Sequence, residues 1–426
     1  MAKPIRAVAV VAVGALGLAA CASGSSGSGS AGGGGGGSKT LIISTDLPLQ
    51  GSNKDASDST NKAIQLYLDS IGNKVGNYPL KLQPYDDSTA AAAKWDSAQC
   101  GANAKAHVAN KDEIAVMGTL NSGCAKIELP ILNQDPNGPM LMVSHANTSP
   151  GLTQDWEGKD PGEPNKYYPT GKRNYARVAT TDAVQGQADA IFAGQSLGIK
   201  KVYVLNDNET YGQGVAKVFA GAAQKNGIQV LGNEAWDPKA TNYVALFQKI
   251  QAAGADAVFL GGIYDAGGAQ LMKDLRSVLG GNDKIKVLAP DGFTGFPDLN
   301  KSAEGQGVYL SFAGLATDQL KAAGGAAAKL IDSYEAKFGG PPASNYAVYG
   351  VAAVQVIIEA IKKSDGTRKG VTDAVFSQGI TVPAAESVLG KDIQIDPKTG
   401  DVSAKDITIE QIKGQKETFL KVQSVS

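Results

Sequence analysis

The chain has few of the residues from which catalytic and metal sites are usually built. Its 426 residues include two histidines, three cysteines and three tryptophans. The zinc spacings CxxC and HExxH do not occur, and neither do the GxSxG turn of many hydrolases nor the glycine-rich Walker loop for phosphates. The sequence therefore predicts a protein that is not an enzyme and has no metal site and no cofactor.

An excess of one charge is also missing. Lysine and arginine number 40, aspartate and glutamate number 41, and neither sign gathers into a long run. Because nucleic-acid-binding surfaces are basic, this balance argues against nucleic acid as a partner. Beyond the first residues, no apolar stretch approaches the roughly 20 residues that cross a bilayer as a helix.

The N-terminus has the pattern of an export signal. Lys3 and Arg6 precede an apolar run, and residues 1–20 are too short for a permanent membrane span. The run ends in Leu18-Ala-Ala-Cys21, which resembles the bacterial lipobox. That resemblance implies a lipid on Cys21; the alternative is an ordinary secretory signal in which this cysteine is incidental.

A flexible tether follows the signal. Residues 21–38 consist almost entirely of glycine, serine and alanine, which cannot bury a core. Such a coil reaches ~20–25 Å from end to end. We therefore expect an exported protein, periplasmic or anchored through Cys21 to the outer face of the cell membrane.

Cys100 and Cys124 remain as a pair in an exported chain, which favours a disulfide. Cys100 lies in the alanine-rich stretch Ala90–Ala109, for which we predict a helix. The bond would add about 3 kcal/mol of stability on the chain-entropy account. Two free buried thiols are the alternative, because spacing alone does not show how close the two residues come.

Two short apolar runs, Ile114–Met117 and Met140–Val143, predict buried parallel strands. Each ends in a small polar loop, Gly118–Gly123 and Ser144–Pro150, and the segment between them has helical spacing. The pattern recurs in Ala255–Leu260 and Ile285–Ala289, which are also followed by glycine-bearing loops. Because ligands bind at the carboxyl ends of strands in open α/β sheets, two such halves predict two lobes facing a cleft.

The predicted architecture is α/β, with two Rossmann-like lobes that each hold a parallel-rich sheet between helices. Crossover strands near Tyr175–Thr180 and Gly307–Phe312 would join the lobes. The predicted N-terminal lobe comprises residues 39–179 and 313–390, and the predicted C-terminal lobe comprises 180–312 and 391–426. The polar loop 154–173 is either functional or an insertion.

The strand-end loops contain the candidate ligand-binding residues. Ser122 opens a helix, where free N–H groups and the helix dipole favour an anion. We expect a carboxylate between Ser122 and the backbone of residues 146–148, which includes Thr148. Helix capping alone is the alternative for both hydroxyls.

Asp291 and Tyr211 would face that anion site from the second lobe. Asp291 could pair with an ammonium group, and Tyr211 could cover an apolar or cationic part of the ligand. A turn role for Asp291 and surface packing for Tyr211 remain open.

Two enzyme patterns are weak. His145 lies near Ser144 and Ser149, but no orienting carboxylate is evident for a hydrolase triad. Tyr211-Gly-Gln-Gly214 lacks the third glycine of a dinucleotide fingerprint, so a helix start is favoured.

These motifs together resemble the branched-chain amino-acid-binding proteins of ABC importers, which have the type I periplasmic-binding-protein fold. The resemblance covers nearly all of residues 39–426. Its carriers are Pro48–Gly51, Tyr85–Asp87, Gly118–Ser122, Ala146–Pro150, Asn206–Asp207, Tyr211–Gly214, Leu260–Gly262 and Pro290–Gly292. The resemblance implies a ligand site at Ser122, Ala146, Thr148, Tyr211 and Asp291, and Asn147 and Ile263 complete the predicted set.

The resemblance implies a solute-binding lipoprotein that closes its lobes around a small amino-acid-like ligand. A membrane permease would be its partner, and we expect a monomer. Family members often have glutamate where this chain has Asp291, and the fold also binds amides, urea and aromatic acids, so fold does not name the ligand. The alternative function is a sensor of amides, urea or small acids that signals to a membrane partner.

Overall fold

The computed structural model describes residues 39–425. The predicted signal peptide 1–20, the tether 21–38 and the predicted lipidation site Cys21 lie outside this range. Among the described helices, none combines the length and the apolar character needed to cross a bilayer.

Strands and helices alternate along most of the chain. The strands are β1 Leu41–Leu47, β2 Lys74–Val75, β3 Tyr78–Asp86, β4 Ser88–Thr89, β5 Lys94–Trp95, β6 Glu113–Gly118, β7 Leu141–Ser144, β8 Tyr175–Arg177, β9 Lys201–Asn206, β10 Gln229–Ala235, β11 Ala257–Gly261, β12 Lys286–Ala289, β13 Tyr309–Phe312, β14 Ile380–Val382, β15 Ile393–Ile395, β16 Ile407–Lys413 and β17 Lys416–Gln423. The helices are α1 Lys54–Ser70, α2 Ser97–Ala109, α3 Ser122–Asn133, α4 Asp182–Ile191, α5 Thr210–Lys225, α6 Val244–Ala253, α7 Gly268–Leu279, α8 Pro297–Lys301, α9 Thr317–Ala323, α10 Gly325–Phe338, α11 Tyr346–Lys362 and α12 Arg368–Gln378.

Two parallel-rich sheets organise these elements. The first has the order β2-β3-β1-β6-β7-β8 and the second β10-β9-β11-β12-β13-β16-β17. In the first sheet, the neighbouring strands β3, β1, β6, β7 and β8 are all parallel, and β2 is antiparallel to β3. In the second sheet, β10, β9, β11, β12 and β13 are parallel, and β16 and β17 are added antiparallel. Short apolar runs followed by polar loops form the parallel strands, which confirms the predicted fold class.

We call the first sheet and its helices lobe one, and the second sheet and its helices lobe two. Helix α11 is the centre of lobe one, because nearly all of its side chains are buried between α1 and the first sheet. Helices α4–α8 pack around the second sheet. Residues from α9 to β15 return to the core of lobe one, while β16 and β17 extend the second sheet. The lobe boundaries given above stay a prediction.

The predicted helix Ala90–Ala109 begins later than its alanine content indicates. Helix α2 starts at Ser97 because the Asp96 carboxylate accepts from the N–H groups of Ala98 and Gln99. The helix places Cys100 against Cys124 with 5.6 Å between the Cα atoms, and the two form a disulfide. The predicted disulfide is confirmed.

Candidate functional site

A cavity of about 580 Å³, including its open side, lies between the ends of the strands of the two lobes. Five residues of the predicted site line it: Ser122, Ala146, Tyr211, Ile263 and Asp291. Each follows a strand end, at β6, β7, β9, β11 and β12 respectively. Parallel strands therefore bring together residues that are up to 169 positions apart in the chain.

Ser122 opens helix α3, and Asn121 stands at its N-cap position. The Asn121 side chain does not cap this helix start, so the first backbone N–H groups of α3 can meet an anion. Both polar atoms of the Asn121 side chain are buried without a hydrogen-bond partner among the described residues, and this side chain lines the cavity. Asn121 was not in the predicted site, although its place before Ser122 could have identified it.

The backbone after β7 is less available than we predicted. The N–H groups of Ala146 and Asn147 both donate to Ser144 Oγ, at 3.2 and 2.9 Å. That hydroxyl in turn donates to the carbonyl of Thr119 at 3.0 Å. The expectation of a carboxylate bound by the backbone of residues 146–148 is thus corrected for its first two N–H groups, which Ser144 occupies.

Asn147 does not line the cavity. Its side-chain amide donates to the carbonyls of Thr119 and Leu120, at 2.8 and 2.9 Å. The hydroxyl of Tyr175 donates to its Oδ1 at 3.1 Å. Asn147 therefore connects the two ligand-edge loops of lobe one, and its side chain is directed into the lobe.

Arg177 supports the loop Ser144–Pro150 from the interior of the protein. Its guanidinium donates to the carbonyls of Asn147 and Ser149, at 3.0 and 2.9 Å. It also donates from Nε to Asp401 at 2.7 Å, and the Arg177 side chain is fully buried. A charge this deep needs a partner, and Asp401 supplies it.

Asp291 receives two tyrosine hydroxyls. Tyr211 donates to Oδ1 and Tyr346 to Oδ2, both at 2.6 Å. Burial raises the pKa of Asp291, and the hydrogen bonds from both tyrosines partly offset that rise. Tyr346 starts α11 in lobe one, so its hydrogen bond spans the cleft. Sequence reasoning missed it because it follows a helix, α10, and not the end of a strand.

Asp182, at the start of α4, is a second buried carboxyl close to the site. Neither of its oxygens has a hydrogen-bond partner within residues 39–425. Burial and then the neighbouring Asp291 raise its pKa well above the ordinary value, whereas Thr148 lowers it slightly. The Thr148 hydroxyl thus faces Asp182 without an aligned hydrogen bond, and neither residue lines the cavity.

The lobes also touch at the rim of the cleft. Asn53 of lobe one donates to Asp265 of lobe two at 2.6 Å. Trp95 donates its indole N–H to Glu209 at 2.9 Å, and Lys94 forms an ion pair with the same carboxylate. These contacts hold the two sides of the cleft together, so the structure represents a closed arrangement.

His145 does not form the hydrolase arrangement considered above. It is fully buried, burial lowers its pKa to about 3, and its ring lies edge-on to Tyr346. Its Nδ1 has no hydrogen-bond partner in the described part of the chain, so no carboxylate orients it.

Comparison with known proteins agrees with this geometry. The chain matches the periplasmic binding protein family over residues 46–416. It is 25% identical to the Leu/Ile/Val-binding protein BraC3 of Rhizobium johnstonii, over 85% of this chain and 89% of the relative. It is 28% identical to the Leu/Ile/Val-binding protein homolog 3 of Brucella melitensis, over 59% of this chain and 61% of the relative.

Solved structures share the fold. The leucine-binding protein LivK of Thermotoga maritima superimposes with a TM-score of 0.74 at 22% identity, over 90% of this chain and 99% of that one. A solute-binding protein of an ABC transporter from R. palustris, in complex with 4-hydroxybenzoate, superimposes with a TM-score of 0.72 at 16% identity, over 91% and 97%. Proteins of this kind bind substrates for transporters and are not enzymes, and they act outside the cytoplasm. The chain belongs to the periplasmic binding protein family, with the type I fold of its branched-chain amino-acid-binding members.

Proposed function

We propose that this chain is the solute-binding lipoprotein of an ABC importer, and that it closes around an α-amino acid and delivers it to a membrane permease. The observation that carries the proposal is one cavity with an uncapped helix start on one wall and the buried Asp291 carboxylate on the other. An α-amino acid has one anionic and one cationic group, which fit these two ends. The Leu/Ile/Val-binding relatives support the same ligand class.

The ligand carboxylate would lie at the start of α3. Ser122 offers a hydroxyl there, the first turn of the helix offers free N–H groups, and Asn121 offers an amide without a partner among the described residues. The positive end of the helix dipole adds to this attraction. Ala146 forms the neighbouring part of the wall.

The ligand ammonium would lie at Asp291. The two tyrosine hydroxyls leave lone pairs on this carboxylate, and an ammonium group would return its pKa towards the ordinary range. Asp182 places a second carboxyl behind the wall, and Thr148 stays a predicted contact between Asp182 and Asp291. A purely anionic ligand would bring a second negative charge close to Asp291 without compensation, which favours an amino acid over an aromatic acid.

The rest of the cavity would hold the ligand side chain. Ala56, Leu120, Ile263 and Phe296 form its apolar part. Tyr211 lies at the boundary between this region and Asp291, as expected for a ring that covers the ligand. Apolar contacts of this kind favour an aliphatic side chain and contribute roughly 25 cal/mol for each Å² removed from water.

Titration calorimetry on the mature chain tests the proposal. The panel contains leucine, isoleucine, valine, their amides, benzoate and 4-hydroxybenzoate. We expect binding of a free amino acid, weaker binding of its amide, which lacks the carboxylate, and none of the benzoates. Binding of benzoates without amino acids would replace the proposed ligand class. Uptake of the bound amino acid into cells is measured next. A protein that binds the amino acid but does not stimulate its uptake through a permease would favour the sensor alternative.

A further inference from the structure

A second group of buried polar residues lies inside lobe one, away from the ligand cavity. Asp46 comes from β1, His107 from α2 and Glu128 from α3, and all three side chains are fully buried. One ligating atom from each residue lies within 4.8 Å of the other two. None of the three lines the cleft, so the amino-acid site does not explain this arrangement.

Neighbouring residues hold the ligating groups in position. Asn103 donates to Asp46 Oδ1 at 2.9 Å, which leaves Oδ2 facing His107 Nε2 at 3.0 Å. The other ring nitrogen, Nδ1, contacts Glu113 Oε1 at 2.5 Å, as an ion-pair contact rather than an aligned hydrogen bond. A carboxylate at the far nitrogen is the usual support of a metal-binding histidine.

Glu128 and the neighbouring Asp87 carry unused acceptor atoms. Glu128 Oε2 and both oxygens of Asp87 have no hydrogen-bond partner within the described residues. Both side chains are 0% exposed. Buried carboxylates in proteins are paired or bind a metal, so a bound ion would explain the unused acceptors of Glu128.

We propose that Asp46, His107 and Glu128 bind a divalent transition-metal ion of the Zn²⁺ or Mn²⁺ class as a structural site of lobe one. One imidazole and two carboxylates are donors that such ions accept. The Asp46 and Glu128 carboxylates balance the two positive charges of the ion, and Glu113 acts as a positioning residue for His107.

The geometry requires small adjustments. Metal–ligand bonds of ~2.1 Å place the ligating atoms about 3–3.5 Å from one another. The ligating atoms of the three residues now lie within 4.8 Å of one another, so they would need to move by roughly 1 Å. A bound ion would take the place of a proton on His107 Nε2, which now faces Asp46 Oδ2 at 3.0 Å. Glu128 Oε1 lies 3.3 Å from the sulfur of Cys124, and the metal would therefore join α2 and α3 beside their disulfide.

The test uses the mature chain without a histidine tag, because the chain itself has two histidines. The protein is unfolded in guanidinium without reductant, so that the disulfide stays closed, and refolded with EDTA, Zn²⁺, Mn²⁺, Mg²⁺ or Ca²⁺. Bound metal is measured by mass spectrometry after gel filtration, and the melting temperature is recorded. We expect about one Zn²⁺ or Mn²⁺ per chain and a higher melting temperature than with EDTA.

Variants identify the ligands. His107→Gln and Glu128→Gln should lose the metal, whereas His145→Gln, at the other buried histidine, should retain it. Glu113→Gln should weaken binding by 10- to 100-fold and keep the fold. If the first two variants fail to fold, paramagnetically shifted imidazole proton resonances in the NMR spectrum of the Co²⁺-loaded wild type report whether a histidine binds the ion, and their absence would contradict the proposal.

Wild-type protein that binds none of the ions, with the same melting temperature in metal and EDTA, would overturn the proposal. So would retention of Mg²⁺ or Ca²⁺ alone, because those ions bind oxygen ligands. Equal metal content in His107→Gln and wild type would also overturn it. None of these readouts depends on the amino-acid ligand, so this proposal and the proposed function fail separately.

Discussion

The hydroxyl of Tyr346 in lobe one donates to Oδ2 of Asp291 in lobe two at 2.6 Å. Both side chains are buried, so the hydrogen bond joins the lobes where a bound ligand would lie. Closure and ligand binding are therefore expected to depend on the same carboxylate.

Replacement of Tyr346 by phenylalanine removes this hydroxyl and little volume. We expect amino-acid affinity to fall about 10-fold or more, since hydrogen bonds to charged groups contribute about 1.5–3 kcal/mol. Calorimetry measures affinity and small-angle scattering measures closure. Tyr349→Phe is the control, because the hydrogen bonds of that hydroxyl in the described structure go to the Leu315 backbone and not to the cleft. Equal affinities of the two variants would show that the cross-cleft hydrogen bond does not contribute.

Asp291→Asn keeps the shape of the proposed ammonium site and removes its charge. Binding should weaken by 2–4 kcal/mol, as for a buried charge pair. Asp182→Asn should weaken it less, because this residue lies behind the wall, and should not lower the ligand-free melting temperature. The exposed Asp298→Asn on the same lobe is the control. Undiminished affinity in Asp291→Asn would turn attention to uncharged or anionic ligands.

Cleft closure should depend on pH through Asp265. Burial and then Glu209 raise its pKa to about 7, against the opposing effect of Lys94. If opening exposes Asp265, the closed form holds a proton that the open form loses. Closure should therefore be strongest below about pH 4, weaken as the pH rises from there to about 7, and change little above that value.

Small-angle scattering of the ligand-free chain across this pH range measures that closure. Asp265→Asn retains the contact with Asn53 but cannot titrate, and should stay equally closed at all these pH values. Identical profiles for wild type and Asp265→Asn would assign the pH effect to other groups.

Asp401→Ala leaves the buried Arg177 without its carboxylate partner. We expect a loss of 3–5 kcal/mol in the free energy of unfolding, because an unpaired charge then remains inside the protein. Ligand affinity should fall as well, since Arg177 holds the loop through Asn147 and Ser149. Urea unfolding is the measurement, and replacement of the exposed Asp396 by alanine, in the turn before Asp401, should cost less than about 1 kcal/mol.

Cys21→Ser tests the proposed anchor, which lies outside the described residues. If Cys21 carries the lipid, the variant should move from the membrane fraction to the soluble exported fraction. Fractionation of cells followed by immunoblotting measures this shift. A variant that remains in the membrane fraction to the same extent would argue against the lipobox.

The amino-acid sequence by itself determined the fold class and the strand-end positions of Ser122 and Asp291, and it favoured the disulfide that the packing of α2 on α3 then formed. Short apolar runs with polar loops are local patterns, and parallel strands end at a common edge for reasons that apply to every such sheet. The start of α2 was wrong in the sequence reading, because a single capping residue, Asp96, outweighed the helix propensity of the alanines before it.

Only the tertiary structure decided which groups meet across elements. Tyr346 reaches Asp291 because the chain returns to lobe one at α11. Asp182 lies close to the ligand site because the first residue of α4 donates its N–H to the carbonyl of Thr148. Asp46, His107 and Glu128 meet because β1, α2 and α3 pack on one another. No local pattern encodes such contacts, since they depend on the packing of segments far apart in the chain. In the same way, Ser144 occupies backbone N–H groups that the sequence left free for a ligand.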